Sequence, residues 1–159
     1  MSDPIYPVEF YRIINALSNL ILVPKEPENP TSVLIQDSEA NHSANPSVYH
    51  WGFIQEQSGI YRVFNRLTGL CVSTFQEPHP EEALLQSAWT NQDNQKWSWN
   101  NSDNRFHSAS NSNLVWGVLK SLDPGAPVQI LNLDGGAYQQ WILRRVAMTE
   151  LEAAQSAAS

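Results

Sequence analysis

The chain has 159 residues, enough for one domain with a real core, and 42% of them are hydrophobic. Only 16% are charged, and the net charge of -7 excludes nucleic acid and anionic membrane surfaces, both of which need clustered Lys and Arg. No apolar run approaches the roughly 20 residues that span a bilayer, and the single Cys71 excludes an internal disulfide and any multi-cysteine metal site.

The opening MSDPIYPVEF lacks a basic start followed by an apolar signal core. A cytoplasmic protein is therefore expected, with non-classical secretion as the alternative. The first predicted strand, Phe10-Tyr11-Arg12-Ile13-Ile14-Asn15, returns 50 positions later as Ile60-Tyr61-Arg62-Val63-Phe64-Asn65. The register holds through Leu17 and Leu67, Ser18 and Thr68, and Leu20 and Leu70. It reaches Val33-Leu34-Ile35-Gln36, which falls on Ala83-Leu84-Leu85-Gln86. A third copy opens at Phe106. There Asn111-Ser112-Asn113-Leu114-Val115 resembles the turn after the first strand, and Val128-Gln129-Ile130-Leu131 repeats the later apolar run. Such self-similarity is the mark of a repeat architecture.

Each copy closes on a tryptophan: Trp51, Trp97 and Trp141. Two residues before it stand Tyr49, Gln95 and Gln139. On a strand, residues two apart share a face, so Gln95 is expected beside Trp97 and Gln139 beside Trp141. The Trp reads as a core anchor and the Gln as a side-chain amide that satisfies backbone groups of a neighbouring loop. Within each copy the apolar segments run four to six residues between Asn, Ser, Gly and Pro, which is strand-and-turn patterning. An all-β fold is predicted, a β-trefoil of three four-strand repeats and about 12 strands. The domain covers 1–147, with repeats at about 6–56, 57–101 and 102–147. The tail, 148–159, is expected to be flexible or a short helix, because Thr149 and Glu152 have capping-box spacing ahead of little apolar surface.

Three units ending in Gln-x-Trp resemble the ricin B-chain type of β-trefoil lectin, and the lack of paired cysteines makes the chain similar to the cytoplasmic fungal members. The resemblance covers residues 6 to about 147. It implies a non-enzymatic protein that binds galactose- or N-acetylgalactosamine-type glycans in shallow loop pockets, without cofactor or metal. Its partners are then glycans or glycoproteins, with avidity from a homodimer or from several pockets per chain. The family's site Asp falls on Val23, Ser73 and Gly117, and its stacking aromatic near Gln36, Gln86 and Leu131, so no repeat keeps the standard pocket. Asn94 survives before Gln95, whereas Tyr138 and Val48 stand in its place elsewhere.

Replacement ligand groups are available in each repeat. In the second they are Ser73, Gln86, Trp89, Asn91, Asp93 and Asn94, where Trp89 is either an exposed sugar platform or packed against its own loop. In the first they are Asp37, Asn41, His42 and Asn45 on an elongated loop. In the third they are Trp116, Asp134 and Tyr138, with Trp116 equally readable as core. His42, His50, His79 and His107 show no metal-ligand spacing. No hydrolase, phosphate-loop or dinucleotide signature occurs. The alternative function is a trefoil that has lost sugar binding and acts through proteins, as a protease inhibitor or a non-catalytic subunit.

Overall fold

Short apolar runs punctuated by turn residues become twelve strands, and the only helices among the described residues are 3-10 turns of three or four residues. The computed structural model describes residues 2–7, 9–119 and 121–147; the expected tail, 148–159, lies outside them. The strands are β1 (Tyr11–Asn15), β2 (Ile21–Pro24), β3 (Leu34–Asp37), β4 (Trp51–Gln57), β5 (Ile60–Asn65) and β6 (Cys71–Ser73). They continue as β7 (Leu85–Ser87), β8 (Trp97–Asn100), β9 (Arg105–Ser108), β10 (Asn111–Gly117), β11 (Gln129–Asn132) and β12 (Trp141–Arg145).

All pairings are antiparallel. β1 pairs with β12 and β4, β5 with β4 and β8, and β9 with β8. The Trp141 N–H reaches the Asn104 carbonyl at 2.8 Å and joins the remaining seam. The six strands thus close into a barrel, which removes exposed edges. The hairpins β2–β3, β6–β7 and β10–β11 cap it. These are the six barrel strands and three caps of a β-trefoil.

The pseudo-threefold axis is written in hydrogen bonds. The Leu34 N–H donates to the Leu84 carbonyl (2.9 Å), Leu84 to Val128 (3.0 Å), and Val128 back to Leu34 (3.0 Å). All three residues are buried. The closing tryptophans are also equivalent and fully buried, their indole N–H groups donating to Leu22 O (2.9 Å), Val72 O (2.9 Å) and Trp116 O (3.2 Å). Because β-trefoil units share one core, no single repeat buries its own apolar face. Phe106 stacks on Trp116 with centroids 4.0 Å apart, and Trp97 meets Trp116 edge-on at 5.3 Å.

Two expectations about local structure are corrected. Gln95 and Gln139 do not lie on the strands of their tryptophans but on the preceding 3-10 turns, Asp93–Gln95 and Ala137–Gln139. Those turns swing each Gln under the loop it supports. The stretch Asn111–Val115, read as a turn, is the first part of β10, which bulges against β9 between Asn111 and Val115.

Candidate functional site

The second repeat presents a polar cleft beside a strongly exposed aromatic side chain. Its foundation is Gln95, which is buried. The Gln95 amide nitrogen donates to Ala88 O (2.7 Å), Ser87 Oγ (3.0 Å) and Ser73 Oγ (3.3 Å). Its Oε1 accepts from the Thr90 N–H (2.8 Å) and hydroxyl (3.2 Å). One amide therefore fixes both β6 and the loop after β7, the role expected of it. Above this, Thr74 and Asn94 clamp each other: the Thr74 N–H donates to Asn94 O (3.1 Å), and Asn94 Nδ2 donates to Thr74 O (2.5 Å). Asn91 takes φ +59°, a left-handed turn that asparagine tolerates.

Phe75 follows Thr74 and stands out with 83% of its surface exposed. It lines a cavity of about 600 Å3 whose walls also include Thr31, Thr74, Ser87, Thr90, Gln92 and Asn94. It also lines a second cavity of about 590 Å3, walled by Glu77, Asn91, Gln92, Asp93, Asn94 and Ser110. Of the expected ligand groups, Asn91, Asp93 and Asn94 are brought together here. Phe75 was not among them. The sequence signal for it was an aromatic directly after a strand that ends in polar residues, Ser73-Thr74-Phe75.

Three other candidates in this repeat are placed elsewhere. Ser73 is buried, donating to Cys71 O (3.0 Å) and accepting from Ser87 and Gln95. Gln86 is buried at the junction between repeats, donating to Asn29 O (2.6 Å) and Pro27 O (3.2 Å) and accepting from Thr68 (3.2 Å). Gln36 does the same in the first repeat toward Ser121 O and Asp123 O. Trp89 lines neither cavity. Arg62 of β5 lies over its ring at 4.2 Å, with Glu56 holding the same guanidinium at 3.2 Å.

The equivalent space in the third repeat is nearly shut. Tyr138 occupies the Asn94 position, is buried, and donates its hydroxyl to the Asp134 carboxylate. A Cβ at Gly136 would sit 2.3 Å from the Tyr138 ring, so the glycine is what lets the ring lie flat there. A cavity of about 170 Å3 remains, with Asp134 and Tyr138 on its wall. Trp116 is core, fully buried among Phe106, Trp97 and Trp141, and is not part of any site.

In the first repeat Val48 and Tyr49 take the Asn and Gln positions and pack with Ile21, Val23 and Ile35 into a small apolar cluster. The polar cradle is gone, and the elongated loop folds over it. Asp37 accepts from the Ser38 N–H (2.8 Å) and Asn41 (3.1 Å) and pairs with His42 (2.9 Å). Partial burial pushes the Asp37 pKa up, but the hydrogen bonds from His42, Ser38 and Asn41 outweigh it and hold the carboxyl below its ordinary value. Asn41, His42 and Asn45 line a groove of about 650 Å3 together with Pro27, Leu67 and Leu70, while Asp37 acts as their anchor. Among the described residues no group of three or more His, Cys, Asp or Glu side chains could hold a metal ion, and no helix is long and apolar enough to cross a membrane.

Comparison with solved structures shows the same fold repeatedly. The designed threefold-symmetric protein ThreeFoil is 20% identical with TM-score 0.77, over 86% of this chain and 99% of that one. The Macrolepiota procera ricin B-like lectin, solved in complex with lactose, is 17% identical with TM-score 0.75, over 91% of this chain and 100% of that one. An exo-β-1,3-galactanase from Clostridium thermocellum is 20% identical with TM-score 0.76 over 91% of this chain, which spans 32% of the enzyme. At these identities the likeness is one of fold. No curated protein matches the chain by sequence. The ricin-type beta-trefoil lectin domain-like family matches residues 47–131, more than half of the chain and the very stretch that holds Phe75, Asn94 and Gln95, and the protein belongs to that family.

Proposed function

We propose that the protein is a non-enzymatic glycan-binding domain whose working site is the cleft of the second repeat. The observation that carries this is Phe75, an exposed ring beside a cavity whose polar walls are hydroxyls and amides. That pairing suits a pyranose: the ring covers the sugar's apolar face while Thr, Ser, Asn and Gln side chains meet its hydroxyls. The equivalent spaces of the first and third repeats are filled by Val48 with Tyr49 and by Tyr138, which supports one working site of this kind per chain.

Galactose- and N-acetylgalactosamine-type glycans are the first class to test, because the M. procera lectin of the same fold was solved with lactose. Recognition here differs from the usual carboxylate-led pocket, since the site Asp is replaced by Ser73 and that hydroxyl is held inside the Gln95 network. The test is a glycan array followed by calorimetry on wild type and Phe75→Ala. Binding by wild type that weakens at least about tenfold in the folded variant supports the reading, that factor being about 1.4 kcal/mol. Absence of any array signal at high protein concentration refutes it.

A further inference from the structure

Phe75 is the most exposed large apolar side chain described, and it borders two cavities rather than one. The two share Phe75, Gln92 and Asn94 as a common wall. Phe75 therefore borders both cavities, of about 600 and 590 Å3, each within the roughly 300–1,000 Å3 of small-ligand sites. This shared border is rooted firmly. Thr74, directly before it, is clamped to Asn94 in both directions, and its hydroxyl donates to the Gln76 carbonyl on the other flank. Gln76 is held in turn by its N–H to Glu82 at 3.3 Å.

The outer walls come from different repeats. Thr31, from the β2–β3 hairpin, bounds one cavity, and Ser110, from the β9–β10 turn, bounds the other. A ligand in both would cross the second repeat from its boundary with the first to its boundary with the third. Charge differs as well. The Thr31 side carries hydroxyls, amides and apolar groups with no ionised side chain. The Ser110 side carries Glu77 and Asp93 and no cation. Lys96 pairs with Asp93 at 3.9 Å but lines neither cavity, so Glu77 remains without a cationic neighbour in the wall.

Resting on the glycan reading above, we propose that the ligand is a neutral oligosaccharide that straddles Phe75, one sugar residue against each side of the ring, and that anionic sugars are disfavoured at the Ser110 side. Both π-faces of one ring serve two adjacent subsites. A monosaccharide fills one cavity and leaves the other wet, so affinity rises steeply when the second sugar residue is added. Carboxylated or sulfated residues at the Ser110 side meet a wall that carries Glu77 and Asp93 in an acidic protein, where like charges repel.

The experiment is calorimetry with galactose, lactose and neutral galacto-oligosaccharides of three and four residues, against wild type, Phe75→Ala and Ser110→Arg. Ser110 is exposed, so Ser110→Arg obstructs its cavity without touching the core, and near-ultraviolet circular dichroism checks that both variants fold. The expected result is an affinity gain of about tenfold or more from one sugar to two or three in wild type. That step disappears in Ser110→Arg, and Phe75→Ala weakens every length. A sialylated lactose binds wild type at least about fivefold more weakly than lactose. Equal affinity at every length overturns the straddling site while leaving glycan binding intact. Equal affinity for the sialylated and neutral forms overturns the charge selection. If no saccharide of any length binds, the glycan reading falls and this inference with it.

Discussion

Replacing Gln95 with Ala tests the most consequential hydrogen-bond hub in the molecule. The side chain is buried and makes five contacts, three as donor and two as acceptor. Ser73 and Ser87 keep each other as partners at 2.6 Å when the amide is gone. The Thr90 N–H and the Ala88 carbonyl do not. An orphaned buried backbone group costs about 1–3 kcal/mol, and the partial exposure of this loop lets water recover some of that. A loss of about 2 kcal/mol follows, or roughly 4–8 °C in Tm for a domain of this size. Urea unfolding followed by tryptophan fluorescence measures it, with six tryptophans as reporters. Gln95→Glu separates the two halves of the contact: it keeps an acceptor for Thr90 but sets a carboxylate against Ala88 O, so it also destabilises the fold. A Gln95→Ala variant within about 0.5 kcal/mol of wild type would refute the assignment of Gln95 as the support of the site loop.

Other consequences are equally direct. Trp97→Ala removes a fully buried ring and its bond to Val72 O, and is expected to cost about 3–5 kcal/mol by the same unfolding measurement. Gln86→Leu keeps the volume but strands the carbonyls of Pro27 and Asn29; a loss of about 1–2 kcal/mol with glycan affinity unchanged shows that Gln86 joins repeats rather than touching ligand. Burial pushes the Cys71 thiol up to about 11, so it should resist alkylation at pH 8 in the folded protein and react promptly once unfolded. Asp37 has a folded pKa below its ordinary 3.8, so its contribution to stability is complete above about pH 5 and is lost as pH falls below 3.8 through the folded value. Acid titration of stability should therefore be flatter in that window for Asp37→Asn than for wild type.

The repeat register carried most of the architecture. The 50-residue offset that aligned Asn15 with Asn65 and Leu34 with Leu84 sets one side of the threefold hydrogen-bond triangle, which Val128 of the third repeat completes. The role of Gln95 and Gln139 as supports for loop backbone was also legible, because a buried amide needs partners and strand-flanking loops supply them. Their address was not, since a short 3-10 turn has no periodicity to read.

What the sequence alone determined is the class of fold and the identity of the structural tryptophans, since repetition and strand patterning are local properties of the chain. It also determined that Asn94 differs in kind from Val48 and Tyr138, and so which repeat deserved the search. The tertiary structure decided everything that depends on direction. Whether an aromatic faces solvent or core is set by neighbours distant in sequence: Arg62 lies over Trp89, Phe106 and Trp141 enclose Trp116, and no residue covers Phe75 to the same degree. The same holds for the glutamines, where Gln86 reaches Pro27 and Asn29 across a repeat boundary. A binding site is a place where packing is left incomplete, and only the assembled neighbours show where that is.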